Sequence, residues 1–105
     1  MKLWIDDIRE APRDYVWIKG TNTALRFIRA HAAEIEVIDL DHDAGDYAKE
    51  GGDYIGILRE LERLTRNPRI KMDFSHIKFR LHSANPVGVQ NMRAIIQANN
   101  WIEIR

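Results

Sequence analysis

Short apolar runs alternate along this chain with longer stretches in which apolar positions recur at helical spacing. Residues 2–5, 15–18, 36–40 and 77–81 form apolar runs of strand type. The last run, 101–105, alternates apolar and polar side chains, as a half-exposed strand at a sheet edge does. The pattern therefore predicts five strands.

Three amphipathic stretches separate these strands and predict helices. The first helix is expected at about 23–32, after several N-cap candidates. The second follows Asp53 as its cap and stops before Pro68, because proline cannot continue a helix. The third begins with Asn85 as N-cap and Pro86 at the first helical position.

Strands that alternate with helices predict an α/β fold with a parallel sheet and right-handed connections. We expect a three-layer, receiver-like or flavodoxin-like domain with five strands in the order 2-1-3-4-5. The domain is trimmed, since no full helix follows strand one and none follows strand five. A chain of 105 residues is expected to form one domain, 1–105.

Composition narrows the classes of function. Lys and Arg number 16, as do Asp and Glu, so no net charge attracts bulk DNA or an anionic membrane. The chain has no cysteine, which excludes disulfides, thiolate zinc sites and cysteine nucleophiles. No apolar run reaches the length of a signal peptide or a membrane span, so a cytoplasmic location is expected.

Three of the predicted strands end in polar clusters. Strand one runs into Asp6-Asp7, strand three into Asp41-His42-Asp43, and strand four into His82-Ser83. These strands are neighbours in the predicted order, and ligands of open α/β sheets bind beyond the carboxyl ends of the strands. We therefore expect the three ends to converge on one pocket. Asp39 lies inside its strand and is not among the predicted site residues.

Carboxylates crowded at this rim would repel one another unless a cation neutralised them. A hard divalent ion, Mg²⁺ or Mn²⁺, is the predicted cofactor. The predicted ligands are Asp6, Asp7, Asp41 and Asp43. The alternative is that some of these aspartates cap helices or pair with Arg9 and Arg80.

Two histidines, His42 and His82, follow strand ends among polar residues. Such a pair can act as general base and general acid at a phosphoryl centre, and both are predicted as catalytic. They are equally suited to be metal ligands or hydrogen-bond partners of a ligand.

Phosphate is expected at the start of the third helix, whose N-terminus favours an anion. Ser83 and Asn85 are the predicted phosphate-binding residues there, with Arg9 as a bidentate clamp. The alternative, that Ser83 and Asn85 only cap the helix, is the stronger interpretation for Asn85.

Three motifs carry a resemblance to a known family. Residues 4–9 (WIDDIR), 40–45 (LDHDAG) and 82–88 (HSANPVG) resemble the motifs of the cyclic-phosphate processing receiver-like domain family, which is bacterial and phage-associated. The resemblance spans nearly the whole chain. It implies a receiver-like fold and a role in processing cyclic phosphate ends, in contexts of RNA repair.

The parent two-component receiver family is similar in part. Asp6-Asp7 resembles its acidic metal-binding pair, Asp41 its phosphoacceptor and Ser83 its hydroxyl switch position. The family's lysine after strand five is missing, because Arg105 follows Ile104 directly. This departure disfavours a phosphorylated signalling receiver.

The leading hypothesis is a metal-assisted phosphoesterase that acts on the cyclic phosphate of a small nucleotide or an RNA end. The alternatives are a non-catalytic phosphate- or nucleotide-binding module, and a degenerate receiver that acts in signalling or protein interaction.

Overall fold

The computed structural model describes all 105 residues and contains a five-stranded parallel sheet. Its strands are β1 (Lys2–Ile5), β2 (Tyr15–Ile18), β3 (Val37–Leu40), β4 (Lys78–Leu81) and β5 (Ile102–Ile104). They lie in the order β2-β1-β3-β4-β5, and every neighbouring pair is parallel. The predicted α/β class and strand order are confirmed.

Three α-helices follow the second, third and fourth strands: α1 (Thr21–His31), α2 (Ile55–Arg66) and α3 (Pro86–Ala98). Two short 3₁₀ helices, Ala32–Glu34 and Gly45–Lys49, lie in the connections. None of the three α-helices combines the length and the apolarity that crossing a bilayer requires.

The helix starts differ in part from the prediction. α1 begins two residues earlier than expected, with Gly20 as N-cap and no side-chain cap. Asp53 does not cap α2, whose N-cap is Tyr54; its Oδ1 instead accepts a hydrogen bond from the Ala44 amide at 2.9 Å. The carboxylate thus satisfies a donor of the preceding loop, and this contact prevails over the local capping preference. The predicted Asn85 cap of α3 is present and accepts from the Gly88 amide.

The helices share one face of the sheet. Each connects a strand to the next strand in the same direction across the sheet, and right-handed connections of this kind fall on one side. α1 packs on α2, and α2 packs on α3. No α-helix lies between β1 and β2, as predicted, and β5 is the last element described; the loop that follows β1 crosses the opposite face of the sheet.

The core lies between this face and the helices. Leu3, Ile38 and Phe79 are in register across β1, β3 and β4, and all three are fully buried. Because side chains alternate along strands, the next row of Trp4, Asp39 and Arg80 faces the other side. The rows continue to the rim where the site lies.

Candidate functional site

A cavity of about 270 Å³ opens at the carboxyl end of the sheet. Its lining residues are Arg9, Asp41, Asp43, Ser83, Ala84 and Asn85. They come from the segments that follow β1, β3 and β4. The structure therefore brings the three polar strand ends together around one cavity.

Asp6 is buried beside this cavity and is saturated with hydrogen bonds. Its Oδ1 accepts from the amides of Ile8 and Arg9, each at 3.0 Å, and its Oδ2 lies 2.8 Å from His82 Nε2. Burial alone would raise the pKa of Asp6. The two amide hydrogen bonds and His82 outweigh burial, and the pKa falls below its usual value. Asp6 is therefore held ionised and fixes the turn that carries Asp7.

Both ring nitrogens of His82 are in contact with carboxylates. Its side chain is 6% exposed, and Nδ1 lies 2.6 Å from Asp39 Oδ1 while Nε2 faces Asp6. Both ring nitrogens are thus occupied by carboxylate oxygens of the protein. The ring also stacks on Trp4, with centroids 3.8 Å apart and planes 2° apart. His82 is therefore held in place by contacts at both ring nitrogens and on one ring face.

Asp39 was not predicted as a site residue, but the structure places its side chain against His82 at the site. It is 2% exposed, and besides His82 it accepts from Arg80 Nη1 at 3.1 Å. A charged residue in the middle of a buried strand needs such partners, because an unpaired buried carboxylate is costly. That rule is the sequence signal from which a partner of Asp39 was predictable.

Asp7 and Asp41 are the two rim carboxylates that form no ion pair with a basic side chain; Asp41 lines the cavity, and Asp7 does not. Burial raises the pKa of Asp7, and the charges of Asp6 and Asp41 raise it further, although a hydrogen bond from the residue's own backbone amide acts in the opposite direction. Asp41 uses Oδ1 for the amide of His42, at 2.7 Å. One ligand atom each from Asp6, Asp41 and His82 lies within 4.8 Å of the other two. Asp6 and His82 are already occupied by each other and by further partners, whereas Asp41 uses only one of its two oxygens. Asp41 and the neighbouring Asp7 therefore offer the oxygen ligands that a hard divalent cation prefers.

Asp43, predicted with the same ligand set, points to a second group of residues. Its Oδ1 lies 2.8 Å from His42 Nδ1, and ligand atoms of His42, Asp43 and Asp53 lie within 4.8 Å of one another. The His42 side chain is only 15% exposed and does not line the cavity, whereas Asp43 does. His42 therefore reaches the cavity through its contact with Asp43.

The predicted phosphate-binding residues Arg9, Ser83 and Asn85 all line the cavity. Arg9 donates one Nη1 hydrogen bond to the carbonyl oxygen of His82 at 3.0 Å, which leaves its other donors for a ligand. Ser83 Oγ accepts from the Asn85 amide, and Asn85 caps α3. The cavity thus joins a guanidinium to the N-terminus of a 13-residue helix, a combination that suits an anion.

Fold and site together define a receiver-like α/β domain with an acidic rim and an adjoining cavity lined by Arg9 and the start of α3. The family model described as the cyclic-phosphate processing receiver domain matches residues 1–98. The chain belongs to this family. No curated protein and no solved structure matches it.

Proposed function

We propose that this domain is a metal-assisted phosphoesterase that opens the cyclic phosphate of a nucleotide or an RNA end. The observation that carries the proposal is the cavity in which Arg9 and the start of α3 face Asp41 and Asp43. Hydrogen-bond donors suited to a phosphate and carboxylates suited to a cation therefore line the same cavity. The family's description, cyclic-phosphate processing, supports a substrate that contains phosphate.

Opening a cyclic phosphate is hydrolysis of one ester bond. A water oxygen bonds to phosphorus, one ester oxygen leaves, and a proton passes from the water to the leaving oxygen. The protein must therefore hold the phosphate, lower the cost of its developing charge, and move a proton.

Holding the phosphate is assigned to Arg9, Ser83 and the amides at the start of α3. Arg9 is anchored by its hydrogen bond to His82, so its remaining N–H groups are oriented before the ligand arrives. Asn85 contributes by shaping the first turn of the helix.

Asp7 and Asp41 are the proposed principal ligands of Mg²⁺ or Mn²⁺, because their charges repel one another and neither is paired with a basic side chain. Asp6 and Asp43 stay predicted ligands, although each already accepts a hydrogen bond. A bound divalent cation would supply charge neutralisation at the phosphoryl oxygens.

Proton transfer is assigned to His42 together with Asp43. The contact of His42 Nδ1 with Asp43 orients a carboxylate that lines the cavity. That His82 transfers protons stays a prediction. Its two occupied nitrogens favour a different role, in which it anchors Asp6.

The test is incubation with 2′,3′-cyclic nucleotides and cyclic-phosphate RNA ends in the presence of Mg²⁺ or Mn²⁺, with the monoester product followed by phosphorus NMR. His42→Ala should lower turnover by about 100-fold or more, the usual contribution of a general base. His76→Ala is the matched control, because His76 bonds the Ala32 carbonyl oxygen far from the cavity. A wild-type protein without turnover would refute the proposal.

A second candidate is a phosphate-binding module without catalysis. It is favoured by the same enclosure of His82 and by the absence of His42 from the cavity lining. Calorimetric binding of a cyclic nucleotide that remains unhydrolysed would support this candidate over the enzyme.

A further inference from the structure

Asp39 occupies a position that an apolar residue would fill at lower cost. It lies in β3 between Ile38 and Leu40, and its carboxylate is buried. A buried ion pair often adds little to the free energy of unfolding, because well-packed apolar residues at the same positions commonly give an equal or higher stability. A role other than stability is therefore the natural account of Asp39.

A chain of hydrogen bonds leads from Asp39 to the loop after β1. Asp39 Oδ1 is bonded to His82 Nδ1, and His82 Nε2 is bonded to Asp6 Oδ2. The other oxygen of Asp6 accepts the amides of Ile8 and Arg9. Asp39 is thus three links away from the backbone that carries Arg9.

Two further contacts close the chain into a ring. The Arg9 guanidinium donates to the carbonyl oxygen of His82, and Trp4 Nε1 donates to the carbonyl oxygen of Arg9 at 2.8 Å. The Trp4 ring covers one face of the His82 ring. Asp39 is the residue that contacts Nδ1 of the imidazole.

We infer that Asp39 is a positioning residue, which fixes the His82 ring and through it Asp6 and the loop that presents Asp7 and Arg9. These hydrogen bonds fix the loop after β1 without any bound ligand. The consequence for binding a cation and a phosphate rests on the proposed function.

The direct test is amide exchange with water, measured by NMR at Ile8 and Arg9. These amides bond Asp6 Oδ1, so they report whether the chain of contacts still holds it. In Asp39→Val their exchange should rise by about tenfold, because losing one hydrogen bond in the chain of contacts shifts the local opening equilibrium by about this factor. Asp39→Asn should give a smaller rise, because an amide offers one acceptor oxygen to two donors.

Glu103→Gln is the matched control. It also removes the charge of a carboxylate that is paired with an arginine, but this pair lies between α3 and β5. Loss of global stability alone would raise exchange at Ile8 and Arg9 only as far as each variant's measured free energy of unfolding falls, and Glu103→Gln calibrates this contribution. Thermal unfolding shows which variants are folded. If Asp39→Val does not fold, the exchange rates of Asp39→Asn decide the outcome.

Binding of Mn²⁺ and of inorganic phosphate, measured by calorimetry, gives the second readout. Both affinities should fall by about tenfold in Asp39→Val and stay unchanged in Glu103→Gln. A wild-type protein that binds neither probe would refute the proposed function, while the exchange rates would still decide the role of Asp39. Exchange at Ile8 and Arg9 that matches the control in both folded Asp39 variants would overturn the inference.

Discussion

The ring of His42 occupies the space that a side chain on Gly88 would need. A Cβ atom at Gly88 would lie 2.5 Å from Cγ of His42 and 2.6 Å from its Cδ2, closer than such atoms approach one another. The first turn of α3 thus forms one wall of the slot in which His42 contacts Asp43. The glycine is required by this packing, although a glycine usually weakens a helix.

Gly88→Ala should therefore displace His42 and lower turnover by about 10- to 100-fold, the cost of misplacing a reacting group by about 1 Å. Gly56→Ala is the control, since a Cβ on this other helical glycine would find its nearest neighbour at 3.5 Å. That variant should keep full turnover and gain up to about 1 kcal/mol in the free energy of unfolding. Wild-type turnover in Gly88→Ala, with His42→Ala inactive, would contradict the packing argument.

Gly45 has a similar relation to the proposed cation site. Its φ is +55°, and a Cβ there would collide with Asp7 Oδ2. Gly45→Ala should weaken Mn²⁺ binding, because the displaced Asp7 is a proposed ligand. Gly52 has φ of +86° and no atom within 4 Å of its Cβ position, so Gly52→Ala isolates the backbone strain. Each variant should lose about 1–2 kcal/mol in stability, and calorimetry should show weaker Mn²⁺ binding only for Gly45→Ala.

The fold was predictable because its signals are local. Apolar runs and helical spacing identify the strands and helices, and the alternation of the two types predicts the parallel order. The cap of α2 was predicted wrongly for the opposite reason. Asp53 has a capping preference that depends on neighbours in sequence, but its actual partner is the amide of Ala44, nine residues earlier.

The site was predictable as far as strand ends show where polar residues gather. The partners inside it were not, because they depend on register. Asp39 and Arg80 face one another only once β3 and β4 are aligned, and His82 then comes within reach of Asp39. The roles assigned to the individual site residues stay predictions until binding and turnover are measured.

Asp7 offers a test of cation binding by stability alone. Burial and the neighbouring carboxylates raise its pKa, which means that its charge opposes folding when no cation is bound. Asp7→Asn should therefore unfold at a higher temperature than the wild type in EDTA. In Mn²⁺ at about 100 times its Kd, the wild type should gain about 2.7 kcal/mol while the variant gains little. A wild type that is indifferent to Mn²⁺ would exclude the cation site.

Glu103 should contribute stability that depends on pH. It accepts three hydrogen bonds from Arg93, of 2.7–3.0 Å, and they lower its pKa although burial opposes them. Since the folded pKa lies below the unfolded value, the stabilisation is complete above the unfolded pKa of about 4.3. It is lost as the pH falls through the folded pKa.

Glu103→Gln should therefore lower the free energy of unfolding at pH 7 by about 1–3 kcal/mol, the usual value for hydrogen bonds to a charged group. Urea unfolding of both proteins between about pH 7 and pH 3 should show this difference shrinking toward the acid end. Glu60→Gln removes a partner from the exposed pair with Arg63 on α2 and should change stability little, because solvent screens that pair. If the difference in the free energy of unfolding between wild type and Glu103→Gln stays constant down to about pH 3, the ion pair with Arg93 is not the cause of that difference.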